Sequence, residues 1–347
     1  MELASLIHQY QPELKSKYTD RLLPGHLRAM SALQRCRTQD AGQIQLQCTD
    51  CAETQSQSHS CGHRSCPKCQ NHEASLWLDR QRTKLLPVEY FMVTFTLPQP
   101  LRPLACAELM YNTLFAVACS TLKDFGLNPK HLGAEIGMTA VLHTHSRRLD
   151  YHPHLHVIIP GGGVDREKRQ WIKKKGKYLF NEFALAEVFR ARFLTAIKAA
   201  GLSSPAHLPA QWVTDCKHVG KGEPALEYLS RYLYRGVISE KNIVANRNGK
   251  VTFRYLESNT GKTQYRTLKG EDFLWLVLQH VLPKGFRRVR DYGFLHGNAK
   301  KRLSLVQLVL RVVIAAQTPR PRPVFKCPKC QSPMHITGFV RPAWQSG

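Results

Sequence analysis

Acidic residues are scarce: 25 Asp and Glu stand against 50 Lys and Arg in 347 residues, a formal charge of +25. A surface made soluble by charge alone carries Lys and Glu together, so this excess points instead to a polyanion, nucleic acid before a membrane surface or an acidic protein. The basic residues recur in runs, at Arg147-Arg148, Lys173-Lys174-Lys175, Arg287-Arg288 and Lys300-Lys301-Arg302. Long apolar runs are also missing. Met1 to Tyr10 contains Glu2 and His8 and does not read as a secretory leader, and Leu303 to Ala316 is broken by Gln307 and Arg311, too short to span a bilayer. The expectation is a cytoplasmic protein with no membrane partner. Between Gln47 and Gln70 hydrophobic residues nearly vanish in favour of Cys, His, Ser and Gln, which excludes a packed core there without a bound ion. No repeat is found beyond the two Cys-Pro-Lys-Cys-Gln segments at 66 and 327.

Periodicity divides the chain into helices and strands. Leu3, Leu6, Ile7 and Tyr10 have helical spacing, as do residues around His26 to Leu33 and from Glu73 to Leu86. Tyr90 to Leu97 alternates and reads as a strand closed by Pro98; Leu104 to Phe125 reads as an amphipathic helix. Gly137 to Thr144 and His154 to Ile159 read as an antiparallel hairpin joined through Ser146 to Pro153, followed by helices over Phe183 to Ala200 and Pro224 to Arg235. Val251 to Leu256 and Gln264 to Leu268 form a second hairpin, and Phe273 to Val281 a short helix. This mixture is an α+β fold in four segments: 1–86 helices and a zinc module, 87–245 the chemical domain, 246–317 a basic hairpin and helical DNA-binding extension, and 318–347 a Pro/Arg-rich tail.

His154 and His156 flank one hydrophobic residue on a strand, so both imidazoles face one side. With Val157-Ile158-Ile159 behind them and Gly161-Gly162-Gly163 after them, they make half of a metal site rather than a solvated strand face. His143 on the preceding strand is the expected third ligand. His145 has the same parity and could substitute, whereas His152 before Pro153 belongs to the turn. Three imidazoles leave coordination positions open to water or phosphate oxygen; Mg2+ or Mn2+ follows if the substrate is a phosphate. Tyr228 and Tyr232 are four apart in a helix and share a face, with Tyr234 pointing elsewhere. Such a pair alone is ordinary core packing. Beside a histidine cluster in a basic chain, the two are candidate nucleophiles, with Arg231 and Arg235 as phosphate contacts.

Eleven cysteines in a reducing compartment argue for metal rather than disulfides. Cys48-x-x-Cys51 and Cys66-x-x-Cys69 have zinc-ribbon spacing and are expected to complete one tetrahedral Zn2+ site. Cys327 and Cys330 supply half a site, which His59 and Cys61 would complete as a second, tying the tail to the N-terminal module. Arg64 and Lys68 beside these ligands would touch DNA. Cys36, Cys106, Cys119 and Cys216 read as ordinary thiols.

The ordered motifs resemble a known family, the two-tyrosine rolling-circle transposases of the insertion-sequence ninety-one type, within the HUH endonucleases. The resemblance runs from Ser65-Cys66-Pro67-Lys68-Cys69-Gln70 through Phe91 to Pro98, Tyr151-His152-Pro153-His154-Leu155-His156 with Pro160-Gly161-Gly162-Gly163, and Tyr228-Leu229-Ser230-Arg231-Tyr232, to His280 through Gly293. It implies an antiparallel sheet with flanking helices, histidines on a central strand and the tyrosine helix packed across them. It also implies a bacterial, nucleoid-associated enzyme in which a divalent ion polarises a phosphate of single-stranded DNA at transposon ends. Tyrosine then forms a 5′-phosphotyrosine link and leaves a free 3′-hydroxyl, the second tyrosine can accept the other strand end or resolve the first link, and target DNA is a further partner. Lys284, Arg287, Arg288 and Arg290 would contact phosphate, and Trp212 or Tyr292 could stack on bases. A plasmid relaxase or replication initiator shares this chemistry; a non-catalytic zinc-dependent DNA-binding protein would leave the histidines and tyrosines structural.

Overall fold

A computed structural model describes residues 1–69, 71–106, 108–233, 236–257, 260–313 and 324–341, with backbone alone for 71, 72, 104–106 and 231–233. In chain order the elements are α1 (Leu3–Lys17), α2 (Pro24–Arg35), β1 (Gln43–Cys48), β2 (Thr54–Ser58), α3 (Asn71–Arg82), β3 (Tyr90–Thr96), α4 (Glu108–Leu127), β4 (Met138–His145), β5 (Tyr151–Pro160), β6 (Gly162–Asp165), β7 (Gln170–Lys173), α5 (Glu182–Ala199), β8 (Thr214–His218), α6 (Glu223–Leu233), β9 (Ile243–Arg247), β10 (Lys250–Leu256), β11 (Thr263–Lys269), α7 (Gly270–Leu278), β12 (Val289–Tyr292), α8 (Lys300–Val309) and β13 (Met334–Val340). Among the described residues no helix is long and apolar enough to cross a membrane.

An antiparallel five-stranded sheet of order β12-β4-β5-β3-β8 forms the centre. Side chains alternate between its faces. Phe91, Val93 and Phe95 of β3, with Leu142, Leu155 and Val157, pack beneath α4 and α5. Val141 and Ile158 turn the other way, against Trp77 of α3 and Ala225, Leu226 and Leu229 of α6. Both faces are therefore covered, and the histidines of β4 and β5 lie on the α6 side. This is the α+β antiparallel sheet with flanking helices expected from the sequence.

A second core joins segments far apart in the chain. Leu3, Leu6, Ile7 and Leu14 of α1 pack with Phe253 of β10 and with Phe273, Leu274 and Leu278 of α7. The pieces expected at 1–86 and 246–317 thus share one interior, while β12 from the same stretch becomes an edge strand of the central sheet. β13, from the expected tail, pairs with β1. The second core also reaches the turn between the histidine strands, because Leu149 is buried in it. His280 Nε2 donates to the Leu149 carbonyl at 3.1 Å while its Nδ1 lies 3.2 Å from Thr144 Oγ1. Arg266 of β11 donates to the Arg148 carbonyl and to Asp150 Oδ1, each at 2.7 Å.

Local signals place most helix ends within a few residues of expectation. The Leu104 to Phe125 helix starts later, at Glu108, after a 3-10 turn over Gln99–Cys106 that contains Pro103; prolines suit such a turn better than a helix interior. His152 and Pro153 lie inside β5 rather than in the turn. The Gly161-Gly162-Gly163 run serves close backbone approach. Val164 exchanges backbone hydrogen bonds with Glu135, and a Cβ on Gly163 would lie 2.7 Å from the Glu135 carbonyl oxygen. We expect Gly163→Ala to cost about 1–3 kcal/mol, read as a lower urea midpoint with an unchanged slope. An unaltered midpoint would contradict that packing.

Candidate active site and nucleic-acid interface

Register brings three histidines together. His143 pairs with His154 and Val141 with His156, so His143, His154 and His156 share a face. Beyond His143 the register shifts: His145 pairs with Tyr151. One residue of β4, Thr144, therefore faces two of β5, His152 and Pro153. A proline fits such a bulge because the ladder is already interrupted there. The ring nitrogens of His143, His154 and His156 lie within 4.8 Å of one another, while the His145 ring is set 5.4 Å from that of His280. Of the two alternatives left open by parity, the structure gathers His143.

Hydrogen bonds aim the rings. His154 Nδ1 donates to the His152 carbonyl at 2.6 Å, which leaves Nε2 with its lone pair. Thr94 Oγ1 sits 2.9 Å from His156 Nδ1 and can accept from it in the same way. Burial keeps the cluster neutral. Desolvation, then His156 and His154, push His143 well below the ordinary imidazole value. Desolvation lowers His154, and with His154 beside it takes His156 down to about 3. Three converging neutral nitrogens fit a divalent cation; a proton on any one would oppose its neighbours.

α6 crosses above this group with its apolar positions down on the sheet. The Tyr228 ring stands 6.3 Å from His156, edge to face, and remains 39% exposed, so its hydroxyl is within a substrate's reach. Arg82 of α3 fixes this helix by bridging Glu223 at 2.8 Å and Glu227 at 3.0 Å. The side chains of Tyr232 and Arg231 and all of Arg235 lie outside the described residues.

The cysteines assort differently from expectation. Cys48 and Cys51 meet Cys327 and Cys330, whereas Cys66 and Cys69 meet Cys36 and Cys61. The two N-terminal Cys-x-x-Cys pairs are therefore held apart, because β1 carries one pair toward β13. His59 belongs to neither group; its ring stacks on Phe339, 6.2 Å away, and Cys36 takes the place assigned to it. Sequence gave no local sign of Cys36, which has no partner three residues away.

A cleft of about 950 Å³ lies between α2, the Gly62–Arg64 turn, α3 and the 281–291 segment. Among the described residues seven basic side chains line it, those of Arg28, Arg64, Arg80, Lys84, Lys284, Arg287 and Arg288, against one acid, Asp291. Arg64 donates to the Phe286 carbonyl at 2.8 Å and so ties the cysteine module to its far wall. Leu142 N donates to the Arg288 carbonyl at 2.9 Å, which brings the cleft up to the strand that carries His143. Lys68 points elsewhere, to Glu2 at 2.6 Å. Arg290 is occupied otherwise: its guanidinium lies 4.2 Å from the Phe115 ring centre and bonds Asn112. Trp212 is 6% exposed, its ring packed against Phe189 and Phe193 in the core. Tyr292 packs against the same core.

Comparison with known proteins adds to this geometry. A family model described as "Putative transposase" matches residues 137–302, and one described as "Transposase zinc-binding domain" matches residues 6–97. The first spans the histidines, Tyr228 and one wall of the cleft; the second spans both N-terminal Cys-x-x-Cys pairs. A protein of Sinorhizobium fredii named "Putative transposase y4qJ" is 32% identical over 377 residues, covering 97% of this chain and 94% of that one. The "Transposase for insertion sequence element IS801" of Pseudomonas savastanoi pv. phaseolicola is 29% identical over 275 residues, 69% of this chain and 64% of its own. A solved chain titled "Conjugative Relaxase TrwC in complex with mutant OriT Dna" aligns at 16% identity over 63% of this chain and 71% of that one, with a TM-score of 0.28, a likeness too slight to build on.

The buried imidazoles make the fold acid-sensitive. An unfolded histidine binds a proton below about pH 6.5, but burial first holds His280 to about 4, His152 to about 4 and His156 to about 3. Between those values and about 6.5 the unfolded chain carries more protons, so stability rises with pH. In metal-free protein each such histidine is expected to remove up to about 1.4 kcal/mol per pH unit across that window. Urea unfolding at pH 7.5, 6.0 and 5.0 checks this; a flat profile would contradict it.

Proposed function

The chain belongs to the transposases of the insertion-sequence ninety-one type, and on that premise we propose that it is a metal-dependent strand transferase. It cuts and rejoins single-stranded DNA at the ends of its element, in the bacterial cytoplasm and on the nucleoid. The observation that carries this reading is the half-exposed Tyr228 ring standing 6.3 Å from His156, above the convergence of His143, His154 and His156.

Tyr228 Oη attacks the scissile phosphorus, the bond to the 3′ oxygen breaks, and the phenolic proton is passed on to that oxygen. A 5′-phosphotyrosine and a free 3′-hydroxyl result. One phosphodiester is exchanged for another, so a 3′-hydroxyl can reverse the step on the same or another end without an outside energy source. Tyr232, one helical turn on, serves as the second acceptor, and Arg231 and Arg235 are assigned to phosphate contact from their sequence spacing alone. A Mg2+ or Mn2+ ion held by the three imidazoles would withdraw charge from the phosphate. The chain's own residues do the rest. Thr94 and the His152 carbonyl set the ring orientations, Arg82 fixes the height of α6, and the basic cleft draws the strand to the sheet. Arg64 is held against that cleft by its bond to the Phe286 carbonyl, and Zn2+ bound by Cys36, Cys61, Cys66 and Cys69 would stiffen the module that carries it.

Labelled single-stranded DNA from the element's ends, incubated with Mn2+, should yield an SDS-resistant adduct that EDTA abolishes. Tyr228→Phe should lower its yield on the order of 10³-fold. Adduct at full yield from Tyr228→Phe would overturn the assignment. For binding, Lys284→Ala with Arg287→Ala should weaken affinity for all sequences alike. Because two phosphate contacts are lost, the slope of log K against log salt should become shallower by about 1.4. An unchanged slope would remove these residues from the DNA path.

A further inference from the structure

Cys327 and Cys330 lie outside both family matches, yet their thiols sit against a knuckle 276 or more residues earlier. Cys330 Sγ is 3.4 Å from Cys48 Sγ and 3.5 Å from Cys51 Sγ, and Cys327 Sγ is 3.5 Å from Cys51 Sγ. A disulfide needs about 2.05 Å. Four sulfurs at about 2.3 Å from one zinc stand about 3.8 Å apart, and all four lie within 4.8 Å of one another. We propose that Cys48, Cys51, Cys327 and Cys330 form a zinc site of their own, distinct from the Cys36, Cys61, Cys66 and Cys69 group, that clasps the C-terminal segment onto β1.

The backbone is shaped for it on both sides. Asp50 N and Cys51 N point at Cys48 Sγ, at 3.4 and 3.5 Å. The residue after each second cysteine takes a left-handed φ, 57° at Ala52 and 63° at Gln331, a conformation uncommon outside glycine. The two knuckles therefore make the same turn. They are joined by Ser332 Oγ donating to Asp50 Oδ2 at 2.6 Å, by Thr49 N donating to the Pro333 carbonyl at 3.2 Å, and by the Lys329–Glu53 ion pair.

Packing alone does not account for the attachment. The interior here is Leu46, Cys48, Cys327 and Met334, with Ile44 beside them, while Ile336 and Phe339 of β13 stay exposed. Six residues of β1 pair with β13, from Gln43–Val340 to Cys48–Met334. That ladder, with so small a core, needs a metal to order it. The proposal is independent of the strand-transfer chemistry, since the central sheet contributes nothing to this site.

Metal analysis of the full chain should find two thiolate-bound zinc ions. Cys327→Ser with Cys330→Ser should leave one, and so should Cys48→Ser with Cys51→Ser; Co2+-loaded protein should lose half its thiolate absorption in each. Hydrogen exchange of the tail variant should show β1 and β13 losing protection while β3, β4 and β5 keep theirs, which separates loss of the clasp from general unfolding. The proposal is overturned by a zinc count that the tail variant leaves unchanged, by a fall to zero in that variant, or by a Cys51–Cys330 disulfide in the intact mass.

Discussion

A one-residue bulge where β4 meets β5 decides which histidines can meet. Up to His143 the two strands run in step, so His143, His154 and His156 share a face; past it, His152 and Pro153 face the single residue Thr144, and His145 leaves the group for His280. A slip of one residue in a strand sends every side chain to the other face, so the site exists in one register only. That register is pinned from outside the sheet. His280 and Arg266 grip the turn between the strands, and both come from the half of the molecule whose core is shared by α1, β10 and α7.

Burial and charge then divide the work. The histidine face is covered by α6, which desolvates the imidazoles and keeps them neutral, the form that binds metal. The positive charge that dominates the composition is placed beside the cluster, in a cleft whose Arg288 borders the His143 strand. A polyanion can therefore be held strongly without protonating the ligands. α6 is held by Ala225, Leu226 and Leu229 packed with Trp77 of α3 and bridged at its surface by Arg82 to Glu223 and Glu227, so the tyrosine's height above the imidazoles depends on α3, the helix that also forms a wall of the cleft.

What the sequence disclosed is what short spacing can encode. His154 and His156 on one face and Tyr228 on a helix follow from periods of two and four residues, and the structure places them on a strand and a helix as expected; the Cys-x-x-Cys pairs and the basic runs are legible as short local spacing and composition. What it withheld depends on pairing across hundreds of residues. The partner of Cys48 and Cys51 lies beyond residue 326 and is brought there by β13, a strand that carries no helical or turn signal of its own; Cys36 has no neighbouring cysteine to announce it. The choice between His143 and His145 turned on a bulge, which parity counting cannot detect. Trp212 and Arg290 looked available for DNA because aromatic and basic residues often are, but tertiary packing assigned them to the core and to the Phe115 face.

Three imidazoles placed to hold a divalent ion beneath Tyr228 have a spectroscopic signature. Pulsed electron paramagnetic resonance of Mn2+ added to the zinc-loaded protein reads it most directly. Imidazole nitrogen couplings are expected that weaken in His143→Ala, His154→Ala and His156→Ala and persist in His145→Ala. A fully hydrated Mn2+ spectrum, or couplings lost in His145→Ala and kept in His143→Ala, would contradict metal binding by these three imidazoles.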